Sequence, residues 1–98
     1  MKLTWSAFAM SNRDTISTYV EADNPAAAVL IDKRIVAAAR RLLDFSASGR
    51  VRRIDGTREL VIHGTPYLAP YAIIETTVRI LRVLHGAQEW PVHGTSTA

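Results

Sequence analysis

The amino-acid sequence predicts an α+β domain in which an N-terminal helical hairpin packs on a small, twisted antiparallel sheet. Three observations lead there. Asp23-Asn24-Pro25 opens a stretch in which Ile31, Ile35, Ala38 and Leu42 recur at i, i+4, i+7 and i+11, the spacing of one apolar helix face. After Ser46-Ala47-Ser48-Gly49 the pattern changes to strand-like runs, punctuated by Asp55-Gly56, Gly64-Thr65-Pro66 and Glu75-Thr76. With 98 residues the chain has room for one core only, since a domain of this size buries about two thirds of its unfolded surface. That domain is expected over residues 1–92, with 93–98 as a frayed tail.

In chain order, Lys2 to Ser6 reads as a short first strand. Ser6 then caps a helix that runs through Ala9, Ile16 and Val20 to about Glu21. Ser11, Asn12, Thr15, Ser17 and Thr18 are poor helix formers, so packing rather than propensity must hold this helix. The second helix is encoded more strongly: Asn24 can accept from its orphan N–H groups and Pro25 is preorganised for its first position. Two helices so closely joined are antiparallel neighbours. Strands follow at about Arg58–His63, Tyr67–Ile74 and Thr77–Leu84, and the hairpin-sized gaps make them an antiparallel meander with the helices over one face. Pro70 falls inside the second of these strands; it cannot donate to a ladder, so an edge position or a bulge is expected there.

Hydrophobic residues at 48% and charged residues at 21% exclude a disordered or fibrous chain. The absence of cysteine excludes a disulfide framework, a thiolate nucleophile and a Cys-type zinc site, which fits a reducing cytosol and makes a cytoplasmic location the expectation. No run reaches the roughly 18 apolar residues of a membrane span, so no membrane partner is expected. His63 and His93 stand alone, without His-x3-His spacing, and imply no metal; no cofactor is implied either. Charge is concentrated in one stretch. Between Arg34 and Arg58 there are seven arginines (34, 40, 41, 50, 52, 53 and 58) against two aspartates, while the rest of the chain is slightly acidic. Nucleic acid, a ribosome or an acidic partner segment would each match that field, as would a solvated Arg-rich helix end and loop. Glu59, on the opposite strand face from Arg58, is expected to neutralise a neighbouring arginine.

The residues Trp5-Ser6, Tyr19, Asp23-Asn24-Pro25-Ala26-Ala27, Gly49-Arg50, Gly56-Thr57-Arg58-Glu59-Leu60, Tyr67, Tyr71, Ile80-Leu81-Arg82-Val83-Leu84-His85 and Trp90-Pro91 occur in that order. In this pattern the chain resembles the ParE/RelE superfamily of toxins from type II toxin–antitoxin, or plasmid stabilisation, systems, and closely its ParE/StbE-like branch. The resemblance implies the fold reached above. It also implies a cognate RelB- or ParD-like antitoxin, bound as a hetero-oligomer, whose C-terminal part wraps the toxin. The candidate antitoxin-binding residues are Phe8, Ile16, Tyr19 and Val20 in a groove between the first helix and the sheet, with Arg50, Arg52, Arg53 and Arg58 as a basic rim. For Ile16 and Val20 an ordinary core position competes with that role.

Two poisons are compatible with the resemblance. ParE-like members hold DNA gyrase in a state that leaves broken DNA, and for this binding suffices. RelE-like members cut messenger RNA on the ribosome, which calls for a base, an acid and cations for the developing charge. A catalytic set for the second would be His85, Arg82, Arg79 and Tyr71, with a neutral imidazole as base. Several departures weigh against it: the strand Arg58–His63 contains no Lys, Leu68 follows Tyr67 where an Arg is expected, and Gly86 follows His85 where another nuclease branch has Tyr. The alternative for His85 is a structural one, anchoring Trp90-Pro91. Ala72 also departs from the pattern, since an Arg commonly follows the second Tyr.

Overall fold

Ser6 joins the first strand to the first helix, and its short polar side chain serves both. The strand, β1, is Lys2–Trp5 and the helix, α1, is Ala7–Glu21. The Ser6 hydroxyl oxygen accepts the Ala9 N–H at 2.9 Å, capping the helix as expected, and the same hydroxyl donates to the Leu81 carbonyl at 2.7 Å. Helix α2, Pro25–Arg41, begins at Asn24, whose side chain accepts from the Ala27 N–H at 3.1 Å. Arg13 on α1 reaches Asp32 on α2 through two hydrogen bonds of 3.0 and 2.9 Å and stacks 4.6 Å from the centre of the Trp5 ring. The helical hairpin is thus clasped at its middle, which helps a helix of weak intrinsic propensity.

The computed structural model describes residues 1–52 and 56–86. Within them the remaining strands are β2 (Arg50–Val51), β3 (Thr57–Val61), β4 (Tyr67–Ile74), β5 (Thr77–Ile80) and β6 (Leu84–His85). They form one sheet in the order β1-β5-β4-β3-β2, with β6 also on β4. The meander β3-β4-β5 is antiparallel as the sequence predicts, whereas β1 runs parallel to β5, pairing Lys2 with Thr77 through Trp5 with Ile80. The core lies between the helices and one sheet face. Ala9, Ile35, Ala38, Ala39 and Leu42 from the helices meet Leu60, Ala69, Tyr71, Val78 and Ile80 from the strands. Ile31 packs against this core at its margin, so the predicted α2 stripe is the buried one. The expected frayed tail and the Trp90-Pro91 anchor lie outside the described residues.

The expected long strand Thr77–Leu84 is in fact two. Tyr71 pairs with Ile80 and Leu68 with Leu84, so Ala69 and Pro70 on β4 face three residues, Leu81, Arg82 and Val83. This is a β-bulge with one extra residue, and Pro70 explains its place. The Pro70 carbonyl accepts from the Leu81 N–H at 2.9 Å, so the missing proline N–H would have pointed at this side, where the ladder is interrupted. The bulge also re-aims the chain: the orphan Leu81 carbonyl is taken by Ser6, and the orphan Val83 N–H donates to the Asn12 side chain at 3.0 Å. Proline therefore sits in a central strand without stranding a buried group.

Two stability measurements check these local arguments. Ser6→Ala removes a cap and orphans a carbonyl, and should lower the unfolding free energy in urea by about 2–3 kcal/mol. Glu75 is a non-glycine residue with a left-handed backbone (φ 55°) at the first position of the two-residue β4–β5 connection, where glycine is favoured. Glu75→Gly should therefore gain about 0.5 kcal/mol, the relief of strain exceeding the entropy cost.

Candidate functional site

The α1 residues Phe8, Asn12, Ile16 and Tyr19 follow each other at helical spacing and share one face. Opposite them run the bulge, β6 and the start of β4. Between these walls lies a cleft of about 510 Å³, bounded among others by Asn12, Ile16, Tyr19, Tyr67, Arg82 and His85. Tyr19 is 78% exposed and Phe8 67%, so this face of α1 keeps two aromatic rings in water although both are free to be covered. Ile16 lines the cleft while also packing on the margin of the core. Val20 is half-buried and does not line the cleft.

Polar chemistry enters the cleft from one wall. The Asn12 side-chain Oδ1 accepts both the Val83 N–H and, at 3.1 Å, the Arg82 Nε–H. The Arg82 guanidinium also lies 5.4 Å from the centre of the Phe8 ring. His85 meets the buried Tyr67 edge-on, ring centres 5.8 Å apart and planes at 83°. Asn12 and Tyr67 were not singled out as site residues by the sequence. For Asn12 the available clue was its place one turn after Phe8 and one turn before Ile16, on the face already marked as the groove.

The other candidate residues are elsewhere. Arg79 extends from β5 toward Thr4 of β1, 3.5 Å away, on the sheet face that carries its cross-strand neighbour Ala72. Tyr71 is fully buried beneath the helices: its hydroxyl donates to the Ser46 carbonyl at 2.7 Å and accepts the Gly49 N–H at 2.9 Å. A Cβ on Gly49 would stand 2.5 Å from the Tyr71 ring, so this close approach needs glycine. Burial raises the Tyr71 pKa above 10.0, while the Gly49 hydrogen bond and the Arg58 charge pull the other way. The four residues of the prospective catalytic set are therefore separated: His85 and Arg82 share the cleft, Arg79 lies on the other sheet face, and Tyr71 staples the loop after α2.

The basic rim is also divided from the cleft. Arg50 and Arg52 both pair with the carboxylate of Glu59, the latter at 2.5 Å, and Arg58 donates to the Ala47 and Gly49 carbonyls at 3.1 and 2.9 Å. These groups belong to β2, β3 and the loop they hold, beyond β4 from β6. Arg53 lies outside the described residues. Glu59 neutralises its arginine neighbours, as expected from its strand face.

A family described as "ParE toxin of type II toxin-antitoxin system, parDE" matches residues 3–90. The chain belongs to the ParE toxin family. It is 42% identical over 90 residues to "Putative toxin Y4kP" of Sinorhizobium fredii (strain NBRC 101917 / NGR234), covering 92% of this chain and 93% of that one. Among solved structures it superposes on a chain of the chromosomal ParDE toxin–antitoxin system from P. aeruginosa with a TM-score of 0.79 at 25% identity, over 87% of this chain and 95% of that chain. The isolated E. coli RelE toxin shares the fold, with a TM-score of 0.58 at 12% identity over 91% and 87% of the two chains. The ParE-type fold is thus present with its helical hairpin and sheet intact, and no helix among the described residues is long and apolar enough to cross a membrane.

The Tyr71 staple has a pH signature in this ParE-family domain. A folded-state pKa raised above the unfolded value means that the contribution is present in full below about pH 10 and is lost as pH rises through the folded pKa. Tyr71→Phe orphans the buried Gly49 N–H and should cost about 1–3 kcal/mol at pH 7. Above pH 10 the gap between wild type and Tyr71→Phe should narrow; a gap that stays constant to pH 11 in urea titrations would remove the buried hydroxyl as its cause.

Proposed function

We propose that this ParE-family toxin arrests growth by binding DNA gyrase, and that a ParD-like antitoxin silences it in the cytoplasm by folding a C-terminal segment into the cleft beside α1. The observation that carries the first part is the separation of the prospective acid–base set. The Tyr71 hydroxyl is consumed by the Ser46 and Gly49 backbone, and Arg79 stands on the opposite sheet face, so of the four prospective residues the developing charge of an RNA cleavage step would meet Arg82 and His85 alone. A poison that works by binding needs no such set. The second part is supported by the exposed ring of Tyr19 at a cleft large enough to take side chains of another polypeptide, and by the exposed ring of Phe8 on the same helix face. The kinship with a ParDE system supports both.

RNA cleavage is the runner-up, favoured by one observation: an imidazole and a guanidinium line the same cleft. The two readings separate in cells. Induced expression should give gyrase-dependent cleaved or relaxed plasmid, no codon-positioned cuts by primer extension, and undiminished growth arrest in His85→Ala. Codon-positioned cuts that vanish in a folded His85→Ala variant would replace gyrase poisoning with the nuclease reading.

A further inference from the structure

Each of several arginines in this structure has its charge met from within. Arg13 is held by Asp32, Arg50 and Arg52 by Glu59, and Arg58 by two loop carbonyls. Arg82 is treated differently. Its Nε–H is fixed on Asn12 and its plane lies near the Phe8 ring, yet its two terminal nitrogens have no partner among the described residues. Among the described residues, no Asp or Glu lines the cleft it faces. The surrounding wall includes Ile16, Tyr19, Val83 and Leu84, and Arg82 itself is half-buried. A cation held in one orientation, partly out of water and with no counter-ion among the described residues, is unsatisfied electrostatically.

We infer that Arg82 is a preset carboxylate receptor, which takes one Asp or Glu side chain of the partner polypeptide in the cleft as a forked ion pair. The inference rests on the antitoxin reading above and adds the contact that selects the partner. Guanidinium geometry suits it: with Nε engaged by Asn12, the remaining N–H groups form the fork that matches two carboxylate oxygens. Freezing the side chain beforehand lowers the entropy cost of that pairing. The apolar wall then receives the hydrophobic side chains flanking the acid, so the segment recognised is amphipathic and acidic. A nucleic-acid backbone would meet the same cation, but it has no apolar side chains to set against Ile16 and Leu84.

The test uses the full-length toxin and the polypeptide encoded by the reading frame adjacent to its gene, with affinities from calorimetry at low and moderate salt. A short single-stranded RNA serves as the competing probe. Arg82→Gln should weaken the protein complex by about 30-fold or more, and Arg82→Lys should recover part of that loss because it restores charge without the fork. Arg82→Glu should abolish binding, and changing one acid of the partner to Arg should restore it at least about tenfold, which also proves that the variant is folded. Arg82→Gln within twofold of wild type, while Tyr19→Ala weakens the complex, overturns the receptor but leaves the cleft as the antitoxin site. Loss of neither, or no complex with the wild type, overturns the antitoxin reading itself. Arg82-dependent binding of the RNA in place of the protein segment would likewise overturn the inference.

Discussion

Pro70 lies in the middle of the sheet, and the way the chain accommodates it organises much of the molecule. A proline facing β5 removes one ladder donor, so β5 cannot continue past Ile80, and three residues bulge opposite two. The bulge leaves the Leu81 carbonyl and the Val83 N–H without a strand to pair with. Ser6 and Asn12, one at the cap and one in the second turn of α1, meet these two groups. The helix is thereby docked at two points about one and a half turns apart, which fixes both its azimuth and its distance from β6. The cleft is the space left beside that docking, and Arg82, the central residue of the bulge, is carried to its wall.

Element types were readable from the chain because local chemistry and global packing agree there. Ser6 and Asn24-Pro25 start helices and serve as caps, the Ile31-to-Leu42 stripe is the buried face of α2, and Tyr67–Ile74 is a strand to the residue. Three features were not legible, each for a reason that lies outside its own segment. The parallel pairing of β1 with β5 joins residues some 75 positions apart, and nothing in Lys2–Trp5 distinguishes a parallel from an antiparallel neighbour. Arg50–Val51 is too short to show alternation and becomes a strand only because Glu59 and Arg58 are there to pair with it. The break after Ile80 is invisible in Thr77–Leu84, whose composition reads as one strand; its cause is a proline on the neighbouring strand. Half of that cause was in view, since Pro70 demanded an edge or a bulge, but which strand would bulge depended on the direction of one carbonyl.

Charge shows the same limit more sharply. Counted along the chain, the stretch from Arg34 to Arg58 is the basic region, yet much of its charge is spent inside the fold. Glu59, just past its end, answers Arg50 and Arg52; Arg58 holds the loop that Tyr71 also holds; Arg34 lies over Gly64 in the β3–β4 turn; and Arg40 and Arg41 stand in the last turn of α2, at the negative end of its dipole. Arg82, half-buried in the cleft wall with donors to spare, comes from outside this stretch. A linear count weighs every guanidinium equally, whereas the field that a partner meets depends on which are already neutralised.

The candidate catalytic residues divide for a related reason: period-2 alternation sends Arg79 to the face away from the helices, while Tyr71, opposite Ile80, must point beneath them. Once under the helices, a phenol has to find hydrogen-bond partners, and the loop after α2 supplies a carbonyl and an N–H at the distance its ring reaches. Gly49 then becomes obligatory, since any Cβ would collide with that ring. Gly49 and the second tyrosine of the family pattern thus form one structural device. Of the four candidates, Arg82 and His85 lie beside a face of α1 that displays Phe8 and Tyr19 to solvent. For a domain with so small a core, covering that face with a partner would add apolar burial that the chain alone lacks, and binding there would then stabilise the fold as well.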